Sequence, residues 1–160
     1  MNPPHLEIER RFLVRDVAVL QGAAGVPYRQ GYLSLDPERI VRVRQAAGRG
    51  YLTVKGRSEG AARAEFEYEI PAADAEALFA LCRQPLIEKT RYTVLHAGLT
   101  WEIDVFAGAN DGLVLGEVEL PAADTPIVLP VWAGEEVTLD ARYQNASLVE
   151  HPFGAWGRSG

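Results

Sequence analysis

Residues 5–14 read His-Leu-Glu-Ile-Glu-Arg-Arg-Phe-Leu-Val, and the rest of the chain is organised around them. Leu6, Ile8, Phe12 and Val14 share one parity; Glu7, Glu9 and Arg11 share the other. Alternation at period two predicts a β-strand whose side chains point to opposite faces. Arg10 interrupts the apolar parity, but its aliphatic stem can pack there. On a lone strand the charged parity would be a solvated outer face. The same alternation recurs along the chain, so the charged face needs a common explanation.

Working outward, residues 28–35 predict a short strand ended by a turn at Asp36-Pro37. Residues 39–46 place Ile40, Arg42 and Arg44 on one side and Val41 and Val43 on the other. Residues 47–50 read as a hairpin connection. The strand that follows, from Tyr51, has Thr53 and Lys55 on one face, and residues 56–63 read as an exposed loop. In 64–70, Glu65, Glu67 and Glu69 alternate with Phe66, Tyr68 and Ile70, and Pro71 ends the run. Residues 72–84 predict the one amphipathic helix, with Ala75, Leu78, Phe79, Leu81 and Cys82 at helical spacing. Residues 86–95, 99–106 and 113–120 return to strand. After Pro121 the pattern loosens, and residues 140–150 predict a final short helix. One domain over 1–150 is expected, with 151–160 a loose tail despite Trp156.

Composition narrows the function. A net charge of −6 argues against nucleic-acid binding through bulk positive charge. The single cysteine, Cys82, cannot form an intramolecular disulfide and reads as a small core residue. With three histidines and one cysteine, zinc and redox metals are disfavoured, and a metal would have to sit on carboxylates. No apolar run reaches the length of a membrane span, and the N-terminus lacks a basic-then-apolar leader pattern. A cytoplasmic protein is expected, without membrane or nucleic-acid partners. The pattern leaves room for a homodimer.

Eight strands with mostly short connections can close into an antiparallel barrel. One parity carries Glu7, Glu9, Arg11, Arg42, Arg44, Lys55, Glu67, Glu69, Lys89, Arg91, Glu102, Asp104, Glu117 and Glu119. Pattern alone leaves two arrangements open. The charged face points outward around an apolar core, or inward around a lumen that is wet or filled by a charged ligand. Two features favour the inward arrangement. Basic residues come in same-face pairs, Arg42 with Arg44 and Lys89 with Arg91. Glu-x-Glu occurs at Glu7/Glu9, Glu67/Glu69 and Glu117/Glu119. Same-face carboxylates ~7 Å apart repel unless a cation lies between them. Carboxylate pairs and cation pairs in one cavity suit a polyphosphate with a hard divalent ion.

These residues resemble the CYTH family, the triphosphate tunnel metalloenzymes. The resemblance is carried by Glu7-Ile-Glu9-Arg-Arg11, Gln30-Gly31-Tyr32-Leu33, Val41-Arg42-Val43-Arg44, Thr53-Val54-Lys55 and Glu67-Tyr68-Glu69-Ile70. It continues through Glu88-Lys89-Thr90-Arg91-Tyr92, Glu102-Ile-Asp104-Val-Phe106, Gly116-Glu117-Val118-Glu119 and Arg142-Tyr143-x-Asn145. It implies a mostly β fold with flanking helices, a closed eight-stranded antiparallel tunnel with the charges inside. The implied activity is hydrolysis of inorganic tripolyphosphate with Mg²⁺ or Mn²⁺. By position, Glu7, Glu9, Glu117 and Glu119 would hold the metal, and Arg42, Arg44, Lys55, Lys89 and Arg91 the phosphates. Glu67, Glu69 and Asp104 would orient metal or water. The family's first-strand lysine is Arg11 here, which can bind phosphate but cannot give up its proton. Related readings are a thiamine triphosphatase or class IV adenylate cyclase, with Tyr28, Tyr51 or Trp132 as an aromatic platform. Another is a non-catalytic polyphosphate binder. A barrel holding an apolar ligand would require the charges outside.

Overall fold

The computed structural model describes residues 5–157. Nine strands form one antiparallel sheet: β1 Leu6–Val14, β2 Val26–Ser34, β3 Ile40–Ala46, β4 Arg49–Lys55, β5 Ala62–Ile70, β6 Ile87–His96, β7 Leu99–Phe106, β8 Val114–Glu119 and β9 Ala133–Glu136. Their order is β5-β4-β3-β2-β6-β7-β8-β1-β9, and β1 also pairs with β5. That last pairing, Leu6–Ile8 against Ala62–Ala64, closes the first eight strands into a barrel. Closure pairs the two end strands of the eight, leaving the short β9 as an added edge on β1. Strand β1 gives one edge to β8 and shares the other between β5 and β9.

Tight turns set the register. Strands β3 and β4 are joined by two residues, Ala47 and Gly48, both with positive φ. This is the primed turn whose twist matches a hairpin, so β4 starts earlier than predicted.

The register points the charged parity inward. Glu9 faces Glu119 and Arg11 faces Glu117 across β1/β8. Arg91 faces Asp104, and Lys55 faces Glu65. The outward apolar face therefore needs cover, and three clusters supply it or fill the barrel end. Helix α1, Ala72–Leu78, packs Ala75 and the following turn's Phe79 and Cys82 on Val43. The close approach explains the Gly31 of the Gln-Gly-Tyr-Leu motif, where a Cβ would lie 2.8 Å from that of Cys82. A second cluster buries Phe12, Trp101, Ile103 and Val118 beneath Trp132 and its neighbours. The third closes one end of the lumen: Tyr32, Ile87, Phe106 and Leu115 meet Leu148 and Val149 of helix α2, Asn145–Glu150.

Three expectations are corrected. The helix predicted over 72–84 stops at Leu78 and tightens into a 3-10 turn at Phe79–Leu81. Gln84 precedes a proline, a position that disfavours helical backbone, and its side-chain amide donates to the Phe79 carbonyl. Strand β9 was not predicted. The tail is not loose through residues 151–157: Phe153 and Trp156 pack on the barrel-end cluster, and the Phe153 N–H donates to Asn110 Oδ1 at 2.8 Å. Residues 158–160 of that tail lie outside the described residues.

Candidate active site

The lumen holds a cavity of about 470 Å³. Glu7, Glu9, Arg11, Arg42, Arg44, Lys55, Glu67, Lys89, Arg91, Glu117 and Glu119 all line it. Two predicted site residues do not. Glu69 lies near the end of β5 and pairs at 3.5 Å with the exposed Arg49. Asp104 points inward but is fully buried beneath Lys89 at 2.7 Å and Arg91 at 2.8 Å. Sequence reasoning assigned no role to Arg63, Glu65, Glu102 or Asn145, which also line the cavity. The sequence pattern puts Arg63 in the loop over 56–63, whereas β5 begins at Ala62 and carries it into the barrel. Glu65 and Glu102 carried the right parity signal.

Most of the lumen's charges are held against each other. Arg11 bridges Glu9 at 3.0 Å and Glu117 at 3.1 Å. Lys55 pairs with Glu7 at 3.1 Å and Glu65 at 3.3 Å. Arg42 reaches Glu67 at 3.2 Å, and Arg91 reaches Glu102 at 3.0 Å. Among the described residues, Arg44 and Arg63 have no carboxylate partner. Arg44 Nε donates to Gln30 Oε1 at 2.9 Å, and Arg63 donates to the Gly56 carbonyl.

Burial and neighbours shift these groups in opposite directions. Burial raises the Glu7 carboxyl, but Lys55 and further hydrogen bonds bring it down to about 2. Burial also opposes ionisation of Glu117, yet Arg11, Lys89 and Arg91 hold it well below the usual carboxylate range. Glu9 goes the other way: burial and the adjacent Glu117 charge push it well above the ordinary value. Burial, with Arg42 and Arg91, lowers Arg44 to about 10. Burial lowers Lys89 to about 7 against the pull of Asp104. Such opposed shifts in one cleft mark a functional site.

The donor set fits a hard divalent cation. Glu7, Glu9, Glu117 and Glu119 offer only oxygen ligands, which Mg²⁺ and Mn²⁺ prefer. Glu9 stands opposite Glu119, and like charges directly across a ladder destabilise it. Glu7 Oε2 is buried and meets the Lys55 ammonium at 3.1 Å. Among the described residues no three of these groups are already gathered around one point.

The CYTH domain family matches residues 5–153. The chain belongs to the CYTH family. A relative from Acetivibrio thermocellus, named inorganic triphosphatase, is 50% identical over 148 residues, or 92% of this chain and 95% of that protein. Another of the same name, from Nitrosomonas europaea, is 40% identical over 147 residues, or 89% of this chain and 96% of that protein. A crystal structure of an inorganic triphosphatase superposes with TM-score 0.67 and 37% identity, covering 93% of this chain and 95% of that one. A Pyrococcus horikoshii protein at 21% identity and TM-score 0.56, covering 74% of this chain and 80% of that one, shares the fold.

Within this CYTH barrel the aromatic residues divide. Tyr28 and Tyr51 line the cavity. Trp132 does not; it is buried outside the barrel wall, edge-on to Trp101 at 5.3 Å. The Tyr28 ring already carries the guanidiniums of Arg44 and Arg91, at 4.9 and 4.8 Å. Among the described residues no helix is long and apolar enough to cross a membrane.

Proposed function

We propose that the protein hydrolyses inorganic tripolyphosphate inside the lumen, with a divalent metal ion, Mg²⁺ or Mn²⁺. The observation that carries this reading is the convergence of Arg42, Arg44, Lys55, Lys89 and Arg91 with Glu7, Glu9, Glu117 and Glu119 on one cavity. The two relatives named inorganic triphosphatase support it, since each is matched over nearly its whole length.

The five cations grip a linear chain of phosphates along its length, and guanidiniums suit this by bidentate contact. Asp104 serves as a buried anchor that fixes Lys89 and Arg91 rather than as a group that meets substrate. Glu7, Glu9, Glu117 and Glu119 would hold the metal, which when bound neutralises phosphate charge and polarises the phosphoryl group. A water oriented by a lumen carboxylate, a role we assign to Glu67, attacks a terminal phosphorus. The bridging P–O bond breaks and pyrophosphate leaves. Phosphoryl transfer needs positioning and charge neutralisation more than covalent participation, and this lumen supplies both.

The test is phosphate release from tripolyphosphate with Mg²⁺, in the wild type and in Glu117→Gln and Glu119→Gln. The variants are expected to fold and to lose most activity. One observation favours a second reading, a non-catalytic polyphosphate binder: Arg11 bridges Glu9 and Glu117 where the family carries lysine. Arg11→Lys should leave binding largely intact, and a sharp rise in turnover would favour that second reading.

A further inference from the structure

Gln30 is fully buried in the barrel wall, yet its side chain ends at the phosphate grip. Its Oε1 accepts from Arg44 Nε at 2.9 Å. Its Nε2 donates to Asn145 Oδ1 and to the Tyr32 hydroxyl, both at 3.1 Å. The amide therefore uses its acceptor and both donors. Asn145 is the first residue of α2, and its Oδ1 also accepts from Lys89 Nζ at 2.9 Å. The plug helix is thus tied to two of the five cations, directly to Lys89 and through Gln30 to Arg44.

Arg44 differs from its neighbours in having a neutral partner. Arg42, Lys55, Lys89 and Arg91 each face a carboxylate. A carboxylate at position 30 would orient Arg44 equally well but cancel its charge. An amide orients it and leaves the charge to the ligand. With Nε bound to Gln30 and the guanidinium stacked on Tyr28, the remaining donors of the fork stay available to phosphate.

We infer that Gln30 is a positioning residue that, braced by Asn145 of the plug helix, holds the Arg44 guanidinium uncancelled and aimed into the lumen to receive phosphate. The inference rests on the reading of the lumen as a triphosphate site.

Two variants separate orientation from charge. Gln30→Met removes the acceptor; Gln30→Glu keeps an oxygen facing Arg44 Nε and adds a charge. Both are expected to raise KM for tripolyphosphate at least tenfold with kcat within about threefold. Gln30→Glu loses the donor that meets Asn145 Oδ1 but gains an ion pair with Arg44, so its thermal midpoint is expected within a few degrees of the wild type and it stays informative if Gln30→Met fails to fold. In an Arg44→Gln background the Gln30→Glu change should have little further effect on KM, because coupled residues are not additive. Unchanged KM in Gln30→Glu, or fully additive effects with Arg44→Gln, would overturn the inference. A wild type that binds tripolyphosphate without turnover removes only the proposed reaction, and the dissociation constant by calorimetry then carries the same comparison. A wild type that neither binds nor hydrolyses it removes the site reading and this inference together.

Discussion

Glu9 and Lys89 show what the lumen asks of single residues. Glu9 is pressed by burial and by Glu117, and faces Glu119 across the ladder. The ion pair with Arg11 offsets only part of this, so without a bound cation its charge opposes folding. Glu9→Gln should therefore raise the thermal midpoint in EDTA by a few degrees, since ~1 kcal/mol moves a domain of this size by roughly 2–4 °C. The same change should weaken stabilisation by Mg²⁺ in a thermal shift; a lower midpoint in EDTA would contradict the account. Lys89 is lowered to about 7 by burial, with Arg91 and Arg44 adding and Asp104 opposing. Above that pH the folded chain gives up a proton that the unfolded chain keeps until near the ordinary lysine value. The unfolded state then binds more protons, so this group makes stability rise with pH across that interval. Phosphate binding runs the other way, because it needs the cation. KM for tripolyphosphate should climb as pH rises above about 7, and Lys89→Met should start from a higher KM and lose that dependence. A KM profile over pH 6–9 that is the same in both proteins would refute it.

At the scale of elements, the helix α2 closes the lumen and carries Asn145 to it. Leu148 is fully buried there, and truncating a core leucine typically costs about 2–5 kcal/mol. Leu148→Ala should lose stability in that range by denaturant unfolding, and should also raise KM through the loosened plug. On β5, Glu67 lines the cavity while Glu69 faces Arg49 at the strand's far end. Glu67→Gln is expected to lose tenfold or more in kcat, and Glu69→Gln to stay within about twofold; equal losses would show that β5 is misplaced. How far the sequence could be read follows from the same elements. Strand β5 alternates completely and β1 does so apart from Arg10, so their two faces are legible, and the inward face follows once the family motifs are joined to it. Depth within the lumen was not legible, because period two distinguishes faces and not how far a side chain lies behind its neighbours. Hence Asp104 had the right parity but no access to the cavity. Strand β9, Ala-Gly-Glu-Glu, has no apolar alternation and exists by backbone pairing to β1. The order of Phe153 and Trp156 comes from packing against residues distant in sequence, which glycine content alone obscured.

At the scale of the whole molecule, a barrel closed through β1 and β5 gives a wall on which opposite charges converge. Buried charge is tolerated there because most of the lumen's cations meet a carboxylate, while Arg44 and Arg63 are held by neutral oxygens at the cavity. An unpaired buried charge is expensive unless a ligand completes it. Three linked phosphates with a divalent ion can engage all five assigned cations. Pyrophosphate leaves some of them unmatched, and a tenfold preference needs only about 1.4 kcal/mol of differential transition-state stabilisation. ATP should be a poorer substrate, because the Tyr28 ring is taken by Arg44 and Arg91. The most direct test is phosphate release from tripolyphosphate, pyrophosphate and a simple phosphomonoester, each in Mg²⁺ and in excess EDTA. Turnover of tripolyphosphate at least about tenfold faster than of pyrophosphate, and abolished by EDTA, is the predicted result. Equal rates on all three substrates, or full activity in EDTA, would contradict it.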